Sequence, residues 1–148
     1  MAWTDKERDR MDILIIDGQG GNLGRQLTKR LREALPQADI TVVGTNSTAT
    51  ENMLKGGADR AATGENAVVV NARRAKVIAG PLGIVIADAL LGEVTPAMAR
   101  AVGSSDAVRV LIPMNRCDTL VAGVADRPMG ELIEDAVRRI VDLSKKAD

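Results

Sequence analysis

A short apolar run at residues 11–17 leads directly into a glycine-rich segment, residues 18–24, and leucines then recur at every fourth position from Leu23 to Leu35. Such a run is typical of a strand that is covered on both faces, and the leucine spacing indicates one buried face of a helix. Pro36 cannot continue that helix. The sequence therefore predicts a strand, a tight turn and a helix in direct succession.

The same alternation continues along the rest of the chain. Apolar runs predict further strands at residues 40–43, 60–62, 76–79, 108–112 and 120–124, with helical patterns between them and after the last. The run at residues 68–70 fits either a helix or a strand. Because strands that alternate with helices form mainly parallel sheets through right-handed crossovers, we predict a three-layer α/β fold. In this Rossmann-like prediction, about five to six mainly parallel strands form the sheet and helices cover both faces.

The length of 148 residues suits one compact domain. We expect a single Rossmann-like domain over residues 12–148, preceded by a charged N-terminal extension at residues 1–11. Twenty basic and twenty acidic residues leave no net charge, so no large field attracts nucleic acid or a membrane surface. No segment approaches the roughly 18 consecutive apolar residues of a membrane span, and we expect a cytoplasmic protein.

The chain contains no histidine, tyrosine or phenylalanine, and its single tryptophan is Trp3. A histidine-based catalytic triad is therefore excluded, as is any mechanism that needs a tyrosine acid. Base stacking on aromatic side chains, the usual way of holding single-stranded nucleic acid, has no residues to use within the folded part. We accordingly expect no nucleic-acid partner.

Glycines at positions 18, 21 and 24 fit the spacing Gly-x-x-Gly-x-x-Gly at the junction of a predicted strand and helix. Glycines there allow a tight turn, and the free amide groups of a helix N-terminus attract phosphate. The spacing differs from the strict dinucleotide fingerprint, because Leu23 occupies the third glycine position. We predict a site for a phosphate-bearing small molecule, with NAD and NADP as candidate cofactors; the alternative is that the glycines serve only the turn. The predicted ligand residues of this segment are Gly18, Gln19, Gly20, Gly21, Asn22 and Gly24.

Further ligand residues are expected at the carboxyl ends of the other strands, where open α/β sheets bind ligands. Thr45 and Asn46 follow the second strand and can donate to a ribose or a phosphate, but they do not distinguish NAD from NADP. An acid at this end would indicate ribose binding, whereas Asp39 opens the strand and lies at the opposite edge. Such polar residues also form ordinary turns and helix caps, which is the alternative. The remaining predicted ligand residues are Thr63, Gly64, Gly80, Pro81, Asn115 and Arg116.

Two side chains are candidate catalytic groups. Cys117 is the only cysteine, and Arg116 beside it would favour the thiolate if both side chains face one site. A packed, unreactive thiol is the alternative. Asp17 ends the first predicted strand, where it would carry a proton, bind Mg²⁺, or accept N–H hydrogen bonds within the turn. Glu65 is a further candidate proton carrier, and we predict no resident metal.

Four short motifs together resemble a short bacterial protein family of unknown function. They are IDGQGG at residues 16–21, GTN at 44–46, TGEN at 63–66 and NRC at 115–117. The resemblance runs from about residue 11 to residue 143 and implies one intact domain. It implies no specific activity, although it implies that the NRC tripeptide, including Cys117, belongs to the family's signature.

Three functions are compatible with this sequence. The first is a Rossmann-like protein that binds a nucleotide or another phosphate-bearing small molecule. The second is a small cytoplasmic enzyme that uses Cys117 on a phosphorylated or carboxylated metabolite, with Asp17 or Glu65 as proton carrier. The third is a non-catalytic protein that binds a partner. A homodimer is expected under all three, because small domains of this class often bury an edge or a helix face.

Overall fold

The computed structural model describes residues 11–113 and 118–146. Along these residues, strands and helices alternate as predicted. The strands are β1 Asp12–Asp17, β2 Asp39–Gly44, β3 Arg60–Thr63, β4 Val77–Pro81 and β5 Val108–Ile112. The helices are α1 Asn22–Ala34, α2 Ser47–Leu54, α3 Glu65–Ala72, α4 Pro96–Gly103 and α5 Met129–Lys145, and a 3₁₀ helix, Leu82–Val85, follows β4.

The five strands form one parallel sheet in the order β3-β2-β1-β4-β5. The chain moves outward from β1 to β2 and β3, and then returns to β4 on the other side of β1. The direction of winding therefore reverses between β1 and β4. Sheets of this kind bind ligands beside such a reversal, at the carboxyl ends of the strands. The prediction of a mainly parallel, Rossmann-like α/β sheet is confirmed.

Helices cover both faces of the sheet, so that the molecule has three layers. Helices α1, α2 and α5 pack on one face, and α3 and α4 pack on the other. Alternate residues of β1 point to the two faces, as the pleat of a strand requires. Buried residues of the first face include Ile13, Ile15, Leu27, Met53 and Ile133. Those of the second include Leu14, Ile16, Val68 and Val102. Among the described residues, none of the helices combines the length and the apolar character of a membrane span.

The predicted strand at residues 120–124 is wrong. These residues form a turn, in which the N–H of Val124 donates to the carbonyl of Val121 and Gly123 has a φ of +81°. That left-handed backbone interrupts an extended chain, and Leu120 is 89% exposed. The apolar run at residues 68–70 lies within α3, so its helical interpretation was the right one.

Gly80 lies within β4 and is buried, as is Pro81. A Cβ atom at Gly80 would overlap the carbonyl oxygen of Ile16 in the neighbouring strand β1. Backbone atoms in the centre of a sheet cannot move aside as the end of a flexible side chain can. The absence of a side chain at Gly80 is therefore required by the close approach of β1 and β4.

We expect Gly80→Ala to lower the free energy of unfolding by about 1–3 kcal/mol, because the new methyl group meets backbone in a packed sheet. Gly103→Ala is the matched control, since a Cβ there meets nothing within 4 Å. It should raise stability slightly, by about 0.4–1 kcal/mol, since alanine restricts the unfolded chain. Urea unfolding followed by circular dichroism measures both. Equal stability of the two variants would contradict the role assigned to Gly80.

Candidate ligand site

The turn between β1 and α1 lies at the carboxyl end of the central strand. It is closed by a hydrogen bond of 2.9 Å from the N–H of Gly21 to the carbonyl of Gly18. Gln19 and Gly21 adopt left-handed backbone conformations, with φ of +50° and +72°. Gln19 and Gly20 are exposed, and so is Asn22, the first residue of α1. The turn therefore presents its tip and the start of the helix to solvent.

Asp17 supports this turn from below. Its Oδ1 accepts the N–H of Gly18 and its Oδ2 accepts the N–H of Gly24, each at 2.8 Å. Gly21 provides no side-chain cap for α1, so the Asp17 carboxylate satisfies one of the amide groups that the first helical turn leaves unpaired. Burial raises the pKa of Asp17 despite these two bonds, and the nearby charge of Glu93 raises it further. Asp17 thus orders the turn through both of its oxygens.

Three glycines of the segment are explained by contacts within the protein. A Cβ at Gly21 would lie 2.7 Å from the backbone of Ala49 in α2, and one at Gly24 would overlap Met53. A Cβ at Gly18 would lie 2.6 Å from Oγ1 of Thr45. Gly20 differs, because a Cβ there meets nothing within 4 Å. The alternative that these glycines serve the turn thus accounts for three positions but not for Gly20.

Glu93 is the principal site residue that the sequence reasoning missed. It lies between β4 and α4, yet its Oε1 accepts three hydrogen bonds from the turns after β1 and β2. The donors are the N–H of Gln19 at 2.9 Å, Oγ1 of Thr45 at 2.7 Å and Nδ2 of Asn46 at 2.7 Å. Partial burial opposes the charge on Glu93, but the three bonds outweigh it and hold its pKa below the ordinary value. The available signal was its position after the carboxyl end of β4, at the same sheet edge.

Thr45 and Asn46 also organise the turn after β2. Oδ1 of Asn46 accepts the N–H of Ala49 and so caps α2, while its Nδ2 group donates to the carbonyl of Gln19 as well as to Glu93. Asn46 is therefore a helix cap, as the alternative interpretation proposed, and its side-chain amide also links the turn after β2 to the turn after β1. The structure brings together Gln19, Thr45 and Asn46 from the predicted ligand residues.

The other predicted residues lie farther along this edge or outside the described residues. Thr63 ends β3 and shares a hydrogen bond of 2.7 Å with the hydroxyl of Thr50. Gly64 precedes α3 with a φ of +99°, and Oε1 of Glu65 accepts the hydroxyl of Thr95 at 2.6 Å. The predicted residues Asn115, Arg116 and Cys117 lie outside the described residues.

Two surface cavities lie elsewhere on the molecule. One, of about 670 Å³, lies between α3 and α4, and the other, of about 920 Å³, follows β5 and α5. Of the predicted site residues that the structure describes, none lines either cavity. The described residues contain no group of three carboxylate or thiol side chains placed to hold a metal ion. The predicted ligand site therefore lies at the hydrogen-bonded cluster around Glu93 and not at either of these cavities.

A family model described as a domain of unknown function (DUF3842) matches residues 12–145. The chain belongs to this DUF3842 family. The predicted resemblance to an uncharacterised family is confirmed by this match, which spans β1 to the end of α5. A search of the curated proteins gave no match.

Among solved structures, the chain is similar to a dodecameric FMN-dependent UbiX-like decarboxylase from Escherichia coli O157:H7. The two chains share 16% sequence identity, with 92% of this chain and 95% of the decarboxylase covered. The TM-score is 0.45. A likeness at this level says nothing about the ligand of the DUF3842 chain.

We expect Asp17→Asn to lower the free energy of unfolding by about 1–3 kcal/mol, because the amide NH₂ group would face a backbone N–H that now has an acceptor. Urea unfolding at neutral pH measures the loss. Asp12→Asn is the control, since Asp12 lies in the same strand at its amino end. It should change stability by less than about 0.5 kcal/mol. If both variants match the wild type, the two bonds of Asp17 do not stabilise the turn.

Proposed function

We propose that this protein binds the phosphate group of a small metabolite, a nucleotide such as NAD or NADP, at the turn between β1 and α1. The observation that carries the proposal is the convergence of three donors, from two different turns, on a single carboxylate oxygen of Glu93. An oxygen of a phosphate has the same charge and accepts the same hydrogen bonds. The cluster is therefore a suitable place for an anionic group.

The start of α1 adds to the attraction for an anion. The helix has 13 residues, and none of the residues of its first turn is acidic. Its N-terminus has a partial positive charge of about half a unit, from aligned peptide dipoles. Asp17 accepts one N–H of this first turn, that of Gly24, and the proposal assigns the phosphate to N–H groups that Asp17 does not bind.

A positive side chain lies close to the rim of the turn. The guanidinium of Arg25 donates to Asn52 at 3.3 Å, and the amide of Asn52 donates to the carbonyl of Gly20 at 3.0 Å. Arg25 is exposed, so it is free to move toward a phosphate that enters over Gly20. A charge-assisted bond of this kind is stronger than one between neutral groups.

The end of β2 bears on the choice of nucleotide. Dinucleotide sites of this fold carry an acid there that binds the ribose hydroxyls. This chain has Thr45 and Asn46 at that position, and the nearest carboxylate in the cluster is Glu93 from another loop. The proposal therefore includes both NAD and NADP, together with mononucleotides.

The first test is a thermal-shift panel with NAD, NADP, AMP and ATP on the wild type and two variants. A ligand at about a hundred times its Kd should stabilise the wild type by roughly 2.7 kcal/mol. Gly20→Asp should abolish the shift, because a new carboxylate at an open position of the turn repels phosphate without a packing clash.

Gly130→Asp is the matched control. Gly130 is exposed, meets no atom within 4 Å of a built Cβ, and lies in the first turn of a different helix, α5. It should keep the full shift. A shift that survives in Gly20→Asp would place the ligand elsewhere. If no compound shifts the melting temperature, the glycines serve only to form the turn, and the partner-binding alternative is favoured.

The proposal also includes a cytoplasmic location and a homodimer. Light scattering after size-exclusion chromatography tests the homodimer directly. A mass of one chain at all concentrations would contradict it.

A further inference from the structure

Residues 86–94, named here the strap, connect the 3₁₀ helix after β4 to α4. The strap is closed by its own backbone hydrogen bonds. The N–H of Asp88 donates to the carbonyl of Val94 at 2.7 Å, and the N–H of Val94 donates to Ala89 at 3.1 Å. A third bond of 3.1 Å joins the N–H of Gly92 to the carbonyl of Asp88. The strap is therefore a compact loop that keeps one shape while its contacts last.

The backbone of the strap is strained. Asp88, Leu90 and Leu91 have φ between +57° and +66°, in the left-handed region that side chains with a Cβ rarely adopt. Leu91 is also 96% exposed, so burial of its side chain does not compensate for this strain. Strain of this kind persists only where surrounding contacts hold it, and it is common in loops that move on binding.

The contacts that hold the strap lie on the candidate site. Glu93 accepts hydrogen bonds from Gln19, Thr45 and Asn46. A Cβ at Gly18 would lie 2.8 Å from Cδ1 of Leu90 and 3.2 Å from Oε1 of Glu93. Leu90 and Glu93 thus cover the start of the glycine turn together. A phosphate that uses Gln19, Thr45 and Asn46 needs the place that the Glu93 carboxylate holds.

We propose that the strap is an internal competitor for the phosphate site: Glu93 occupies the anion position, and a ligand phosphate binds by displacing Glu93 and opening residues 86–94. This inference rests on the proposed function. The ligand gains the three donors that Glu93 loses, while opening releases the strain at Leu90 and Leu91. The apparent affinity is then lower than the intrinsic affinity by the fraction of molecules with an open strap.

The test measures the affinity of inorganic pyrophosphate and of NAD for the wild type, Glu93→Ala and a control. The amide resonance of Gln19 reports binding at the site. Glu93→Ala should bind about tenfold or more tightly than the wild type, because the competitor has been removed. Glu51→Ala removes the same charge from an exposed position on α2 and should bind within about twofold of the wild type.

A second measurement keeps the inference testable if the Glu93 variant is poorly folded. Hydrogen exchange at residues 86–94 of the wild type should become faster when the ligand is added, because the strap opens. Unchanged or slower exchange with bound ligand would overturn the inference.

The outcomes separate this inference from the proposed function. If NAD or pyrophosphate binds the wild type at the turn as tightly as it binds Glu93→Ala, or more tightly, the competitor is rejected and phosphate binding is retained. In that case Glu93 either contacts the bound ligand or has no effect on its binding. If neither ligand binds either protein, the proposed function and the competitor are both rejected.

Discussion

The central strand β1 is buried on both faces, and this burial determines what the end of the strand can contain. Asp17, the last residue of β1, is buried, so its carboxylate needs hydrogen-bond partners inside the protein. Asp17 meets that need by accepting the N–H groups of Gly18 and Gly24. The same two bonds fix the direction in which α1 leaves the sheet. The geometry of the turn, and hence of any site built on it, depends on this buried carboxylate.

The candidate site joins segments that are distant in sequence. Gln19 and Glu93 are 74 residues apart, and they meet because the reversal of winding brings the loop after β4 next to the turn after β1. A carboxylate in this position has two effects. It stabilises the donors of two turns in one arrangement, and it also excludes another anion from them. Preorganisation and competition are therefore two consequences of one contact.

Periodicity predicted most of the fold, because the leucine spacing of α1 and the apolar runs of the central strands follow directly from burial. It failed at residues 120–124, where Gly123 adopts a left-handed backbone that an apolar pattern does not reveal. Thr45 and Asn46 could be predicted to lie at the carboxyl edge of the sheet because they directly follow β2. Glu93 was not predictable in the same way, because its hydrogen bonds join loops that are distant in sequence and leave no local pattern. Asp39, by contrast, was correctly placed at the amino end of β2.

The four glycines of the turn divide into two groups according to what surrounds them. A Cβ at Gly18 or Gly24 would meet neighbouring side chains, and one at Gly21 would meet the backbone of Ala49, so the packing of the turn favours small residues at these three positions. Gly20 has open space around it, and the fold itself does not require it. A side chain at position 20 would therefore change the surface that the turn presents and not its packing. Relatives that replace Gly20 with a bulky or acidic residue while retaining the other three would keep the architecture of the turn and present a different surface to solvent.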